Sequence, residues 1–288
     1  MLPEHRRRQL LTYLKRHGAA NVIDLSANLG VSEATVRRDL HELQQRGELE
    51  RTHGGAVAPN VGTAFEPQYQ EKTQRQAAAK SAIAHEAARF VKNGDVVILD
   101  SGSTTHALAL VLRERSNLTV ITSDIKIAYD LSSQPSIDVI VVGGRIRPEL
   151  YSIIGHFAER NLEEVHANVA FVGADAISVR AGVTNATLDE VPIKRRVIRS
   201  AAITVLMADH TKFDKLSLAR VAALSEFDHC ITDGDIGAET LERYRAADLD
   251  VVIAKGPEHD GDGPELVGSE TRKLPGGVCE SVRASTPQ

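Results

Sequence analysis

The stretch VSEATVRRDLHELQQRGELERTHGGA, residues 31–56, decides how the rest of the chain is read. Ser32 is a strong N-cap, because its hydroxyl accepts from a backbone N–H of the first helical turn, and Glu33 follows beside the positive end of that helix. Val36, Leu40 and Leu43 then recur at helical spacing, and Gly47 closes the run. At about 100° per residue, Ala34, Arg38, His41 and Gln45 fall opposite this apolar stripe, with Thr35 and Arg37 on its flanks. The exposed face is small, polar and basic. Beyond Gly47, the pattern of Leu49, Arg51, His53 and the pair Gly54-Gly55 predicts a short hairpin.

Toward the N-terminus, Val22, Leu25 and Leu29 mark a second helix that stops at Gly30, a residue free to turn sharply. Before it, Pro3 opens a first helix with Leu10, Leu11 and Leu14 on one side and Gly18 at its end. Three helices, a tight turn and a basic hairpin, in that order, describe a winged helix-turn-helix over residues 1–57. Its recognition helix begins at Ser32 and enters the major groove of double-stranded DNA. Arg38 is placed as the base reader, Thr35 and Arg37 as phosphate contacts, and Ala34 as room for close approach; Ser32 and His41 share the surface. Arg51, His53 and Gly54 belong to the wing, which reaches the backbone or minor groove. An isolated Arg-Arg pair would read equally well as a solvated surface; the ordered set of elements decides for DNA.

Residues 31–56 resemble the N-terminal signature of the DeoR family of bacterial regulators. The resemblance implies a transcriptional regulator, with a second domain that senses a small molecule.

Pro59, Gly62, Pro67 and a Gln-rich stretch mark residues 58–76 as a linker giving way to a helix. From 77 to 255, apolar runs at 96–99, 118–122, 138–144, 169–172, 202–207, 229–232 and 251–254 alternate with amphipathic segments. Such alternation predicts an α/β domain with a mostly parallel, helix-covered sheet. Residues 256–288, rich in Gly and Pro with little periodicity, read as a disordered tail.

Ligands of open α/β sheets bind beyond the carboxyl ends of the strands. The sharpest such loop is Asp100-Ser101-Gly102-Ser103-Thr104-Thr105, which offers hydroxyls, a permissive glycine and backbone N–H groups at a helix N-terminus, a cradle suited to phosphate. It has neither a Walker lysine nor GxGxxG spacing, so nucleotide folds are not supported. Gly143 and Gly144 allow close backbone approach at a second strand end, with Arg145 and Arg147 adding charge. Gly173 and Asp175 stand at a third and Lys212 beyond a fourth, Asp175 suited to accepting sugar hydroxyls and Lys212 to neutralising phosphate. Lys194, inside a KRR run, reads more weakly because such a run is often a solvated face.

These loops resemble the family's effector domain, whose fold is similar to that of ribose-5-phosphate isomerase and whose ligands are phosphorylated sugars or related metabolites. Together with the N-terminal signature, the resemblance spans roughly residues 3–254. It implies phosphate binding at residues 100–105, ligand contacts at Gly143, Gly144, Gly173, Asp175 and Lys212, and a cleft lined by the helix around Glu190 and Lys194. Ser123-Asp124 departs from the family's usual Asn-Ser, adding a negative charge near the expected ligand, and Ala176 stands where Gly is common.

The charge distribution agrees with this division. Residues 1–60 hold nine Lys and Arg against seven Asp and Glu, a net of +2, while the whole chain of 288 residues carries −5. Any charge that faces DNA therefore lies in the first module. Cys230 and Cys279 have no paired spacing, which points to a reducing compartment and to no zinc site. No apolar run reaches membrane-spanning length, and a cytoplasmic location is expected. The reading is a ligand-responsive repressor of carbohydrate-metabolism genes, homo-oligomeric because paired modules read two half-sites, with no cofactor, metal or catalytic residue. The alternative is a sugar-phosphate isomerase-like enzyme with a fused DNA-binding module, given the acid–base capacity of Asp175 and Lys212.

Overall fold

Leucines at helical spacing build the N-terminal core. Leu10 and Leu14 of α1 (Pro3–His17) meet Val22, Leu25 and Leu29 of α2 (Val22–Leu29) and Val36, Leu40 and Leu43 of α3 (Glu33–Gln45). The computed structural model describes residues 2–255 apart from 18, 47, 53, 58–62, 64 and 65. The expectations for His53, for the tail 256–288 with Cys279, and for most of residues 58–65 lie outside the described residues.

The turn between α2 and α3 follows the sequence signals. Asn21 caps α2 by accepting from Asp24 N–H at 2.7 Å. Gly30 takes the left-handed conformation, φ 62°, that ends it. The Ser32 hydroxyl accepts from Thr35 N–H at 3.3 Å, a cap of the kind worth about 1 kcal/mol. The wing contains one strand more than expected: β1 (Ala19–Asn21) and β2 (Glu50–Thr52) flank β3 (Gly55–Val57) in an antiparallel sheet. Gly55 is required there, since a Cβ would stand 2.0 Å from the Ala20 carbonyl oxygen. Buried Asp39, on the inner side of α3, accepts from Arg6 Nε at 2.5 Å and Arg7 Nε at 3.1 Å, clamping α1 to the recognition helix. Arg7 also pairs with Glu42.

The second domain opens with α4 (Tyr69–Gln74) and α5 (Ala77–Ala88), followed by β4 (Val96–Leu99), α6 (Ser103–Leu112), β5 (Leu118–Thr122), α7 (Ile125–Leu131) and β6 (Ile137–Val141). A small hairpin, β7 (Arg145–Ile146) and β8 (Ile153–Ile154), leads to α8 (His156–Glu163) and β9 (Ala167–Gly173). Then come β10 (Ala176–Ser178), β11 (Gly182–Asn185), α9 (Val191–Arg199), β12 (Ala201–Met207), β13 (Ala219–Ala222), β14 (His229–Thr232), α10 (Ala238–Arg245) and β15 (Val251–Ile253). Seven strands form one sheet in the order β15-β14-β12-β9-β4-β5-β6, all parallel, while β10, β11 and β13 make a separate antiparallel sheet.

Strand residues alternate between two cores. Val97, Leu99, Val169, Phe171, Val205 and Met207 face α5, α6 and α7, whereas Ile98, Ala170, Val172 and Leu206 face α8, α9 and α10. Period-two alternation of apolar side chains on both faces explains why these strands read as continuous apolar runs. Cys230 is buried in the second of these cores, and burial raises its thiol pKa, leaving it an inert packing residue. From β4 the chain steps through β5 and β6, then crosses back to β9 and steps the other way. The reversal lies between β4 and β9, the switch point where an open α/β sheet leaves a crevice. Among the described residues, no helix is long and apolar enough to cross a membrane.

Gly55→Ala is expected to destabilise the winged domain by about 1–3 kcal/mol, because backbone must shift to admit the methyl group. Denaturant unfolding of the two proteins checks this; an unchanged midpoint would show that β3 does not pack against β1 as described.

Candidate functional site

On α3 the side opposite the core is open. Ala34, Arg37, Arg38, His41 and Gln45 are exposed and Thr35 half-buried. Arg37 donates to Glu33 at 2.8 Å, and His41 and Gln45 meet at 3.1 Å. Arg38 has no hydrogen-bonding or ion-pairing partner among the described residues and extends freely from the face. Arg51 and Gly54 of the wing are exposed as well. Arg6 and Arg7, by contrast, are committed to Asp39 and Glu42, so they hold the module together rather than adding to its free charge.

In the second domain the carboxyl ends of β4 and β9 are joined by a buried ion pair. Asp100, just after β4, accepts from Lys194 of α9 and from Gly173 N–H at 3.0 Å, and Lys194 Nζ also donates to the Gly173 carbonyl at 3.0 Å. Burial works against the Lys194 ammonium, but Asp100 and Glu190 beside it raise its pKa, so it stays cationic. Lys194 thus proves to be an interior residue; its apolar neighbours Ile193, Val197 and Ile198 could have signalled a buried helix face.

A cavity of about 330 Å³ opens in front of this pair. Ser101, Gly102, Ser103, Thr104, Gly173, Asp175 and Lys212, seven of the residues expected at an effector site, line it. The N-terminal turn of α6 carries no side-chain cap, and its first residues, Ser103 and Thr104, line the space. Four other expected residues stand outside the lining. Asp100 lies behind it, and the Thr105 hydroxyl is spent on the carbonyls of Asp100 and Gly102 at 2.7 and 2.9 Å, bracing the loop. Gly143 donates its N–H to Asn161 Oδ1 at 3.0 Å, and Gly144 lets the β7-β8 hairpin close, since a Cβ there would lie 2.6 Å from the Ile154 carbonyl oxygen. Asp124, the residue that departs from the family pattern, is buried and turned toward the loop. It caps α7 and accepts from the Ser101 hydroxyl at 2.8 Å, so its charge braces the cradle from behind.

Glu190 and Lys194, at the start of and within α9, also line it, where the resemblance placed them. Other parts of the lining were not legible beforehand: Lys72 and Lys80 come from α4 and α5, Arg75 and Gln76 from the joint between them, and Asn185, Lys215 and Ser217 from the small sheet and its connections. Six basic and three acidic residues surround the cavity, in a chain whose net charge is −5. Lys72 Nζ sits between Glu66 at 2.8 Å and Asp175 at 3.1 Å. Burial opposes its charge, yet Asp175 and Glu66 raise its pKa. Burial would likewise raise the Asp175 carboxyl, but Lys72 and the Ala186 N–H overcome this and hold it at about 2. Lys80 is pushed down to about 8 by burial, with Lys72, Lys212 and Arg75 adding to the effect against the pull of Asp209. Burial also lowers Lys212, whose ammonium has no hydrogen-bonding partner among the described residues. Glu190 is fully engaged, accepting from Arg147 at 2.6 Å, Ser152 at 2.7 Å and Asn185 at 2.9 Å.

The DeoR-like helix-turn-helix domain matches residues 6–61 and the DeoR C terminal sensor domain residues 75–234. The chain belongs to the DeoR family. It is 34% identical to the HTH-type transcriptional regulator GlpR of Haloferax volcanii, over 88% of this chain and 98% of that one. Similarity to the HTH-type transcriptional regulator GolR of Listeria innocua is 33% over 88% of this chain and all of its relative's length, 100%. The glycerol-3-phosphate regulon repressor of Haemophilus influenzae is 28% identical over 87% and 97% of the two chains. Ribose 5-phosphate isomerase A of Methanocaldococcus jannaschii resembles 46% of this chain and 53% of its own, with 22% identity and a TM-score of 0.33. This DeoR-family protein is thus a transcriptional regulator, with a DNA-binding module followed by a sensor domain.

Lys194→Met leaves the Asp100 carboxyl buried without its cation, and the regulator should lose about 3–5 kcal/mol of stability at neutral pH. Burial raises the Asp100 carboxyl even with Lys194 opposing it, and loss of that cation raises it further, so the deficit is present at pH 7 and shrinks as pH falls toward 5. Urea unfolding at the two pH values reads both effects, and an undiminished midpoint at pH 7 would refute the account of the pair.

Proposed function

We propose that this protein is a repressor of carbohydrate-metabolism genes whose operator binding is modulated by a phosphorylated sugar or related metabolite held in the sensor cavity. The observation that carries this reading is the excess of cations around a cavity lined by the uncapped N-terminus of α6. Ser103 and Thr104 with the α6 N–H groups, faced by Lys212, form the phosphate end; Asp175 and Asn185 suit sugar hydroxyls. Asp100, Thr105, Gly143 and Gly144 act one layer out, by holding the loops. A relative whose name refers to glycerol-3-phosphate fits a small phosphorylated ligand.

In the winged module, Ala34 and Arg38 read base edges, while Ser32, Thr35, Arg37 and His41 of α3 and Arg51 and Gly54 of the wing contact the sugar-phosphate backbone. One such module reads only a half-site, so the regulator acts as a homo-oligomer that presents two. Sensing is favoured over catalysis because Asp175, the expected acid–base residue, is held at about 2 by Lys72 and is a feeble base at neutral pH.

Arg38→Ala should weaken specific operator binding by about 1–3 kcal/mol, whereas Lys212→Met should leave unliganded DNA binding intact and abolish the response to phosphorylated ligand. Electrophoretic mobility shifts with and without glycerol 3-phosphate or a hexose phosphate test both; wild-type affinity in Arg38→Ala would overturn the orientation assigned to α3. Lys80 loses its charge near pH 8, so anion affinity is expected to decline as pH rises through that value. In Lys80→Met the decline, read by isothermal titration calorimetry, should be smaller across that range.

A further inference from the structure

Residues 66–76 stand in sequence between the winged domain and the sensor sheet, yet Pro67, Lys72, Arg75 and Gln76 of that segment line the cavity. The segment is held on two sides. On the outer side, buried Tyr69 packs edge-on against Tyr151, with ring centroids 5.3 Å apart, and near His106 at 6.0 Å, while Gln68 donates to Glu149 at 2.8 Å. On the cavity side, Lys72 bridges Glu66 and Asp175, its carbonyl accepts from the Ser103 hydroxyl at 3.4 Å, and Lys80 donates to the carbonyls of Lys72 and Arg75. Two features oppose this docking. Gln76, at the joint of α4 and α5, is forced into the left-handed region at φ 53°, and the buried Tyr69 hydroxyl has no hydrogen-bonding partner among the described residues. The docked position thus combines the ring packing of Tyr69 with ion pairs to the sensor domain, Lys72 with Asp175 and Glu66 with Arg147, at the edge of the cavity.

We propose that residues 66–76 are the relay between effector and DNA, with Lys72 as its latch. An anionic effector joins Asp175 and Glu66 as a further negative partner of the Lys72 ammonium and draws α4 onto the sensor domain. A ligand shifts a conformational equilibrium only by binding one state better, and Lys72 provides that difference because it travels with α4 while α6 and Lys212 do not. The last wing strand ends at Val57, so α4 lies in sequence between the winged domain and the sensor sheet, and Thr63 ahead of it accepts from Leu218 N–H of the sensor domain at 2.8 Å. The inference rests on the anion-binding reading of the cavity.

Amide hydrogen exchange on the full chain tests it, with inorganic phosphate, glycerol 3-phosphate and a hexose 6-phosphate as probes at millimolar concentration. With a probe that binds, peptides covering residues 69–76 should slow by about fivefold or more, as should those covering 101–105. In Lys72→Gln the slowing at 69–76 should vanish while that at 101–105 survives at saturating probe, and Lys72→Arg should restore it. Protection confined to residues 101–105 and 173–175 in the wild type, or an unaltered response of 69–76 in Lys72→Gln, overturns the relay and leaves the anion site standing. No change anywhere with any probe overturns the anion site and the relay with it.

Discussion

The buried ion pair of Asp100 and Lys194 is the constraint on which the sensor domain is arranged. Taking a carboxylate and an ammonium out of water costs several kcal/mol each, and only close pairing with added hydrogen bonds offsets that. Gly173 supplies those bonds on both sides, its N–H to Asp100 and its carbonyl to Lys194. The pair therefore has one low-energy arrangement, with the ends of β4 and β9 and the middle of α9 at fixed separations. An apolar pair of similar volume would hold these elements as firmly without setting where the loops emerge. Because the two strands flank the reversal of sheet order, the fixed separations define the mouth of the crevice.

The pair also determines the electrostatics of the cavity. Lys194 is neutralised by Asp100, Lys72 is shared by Glu66 and Asp175, and Glu190 is occupied by Arg147, Ser152 and Asn185. Among the described residues of the lining, the α6 N-terminus has no side-chain cap and the ammonium groups of Lys212 and Lys215 have no hydrogen-bonding or ion-pairing partner. An anion entering there gains hydrogen bonds without displacing a salt bridge, and the surrounding pairs keep those donors aimed. The winged module divides its charges in the same way. Arg6 and Arg7 pin α1 to α3 through Asp39, while Arg38 is left unpaired on the opposite side of the helix.

Residues 31–56 and the strand runs from 96 onward made the helix-turn-helix, the parallel sheet and the strand-to-helix loop at 100–105 legible, because each is specified by local rules: a cap, a period, a glycine at a turn. Gly55 was visible as a turn residue, but its reason, the Ala20 carbonyl against its Cα, depends on a strand that a three-residue run such as Ala19–Asn21 does not announce. Gly143 and Gly144 show the opposite case. Their sequence setting resembles a strand-end ligand loop, and tertiary packing instead uses them to seat a hairpin against α8.

By itself, the sequence determined the order of the elements, the face of α3 left open to DNA and the presence of polar loops at strand ends, since all of these follow from side-chain periodicity along one stretch of backbone. Only the tertiary structure decided which charges meet. Lys72 and Asp175 are 103 residues apart and Asp100 and Lys194 are 94 apart, and no local pattern encodes such pairings. Their energies come from burial and distance, which exist only once the sheet has brought both ends together. For the same reason the segment before α5 read as a spacer: its composition is that of a linker, and its place at the cavity wall depends on partners supplied by strands folded far downstream.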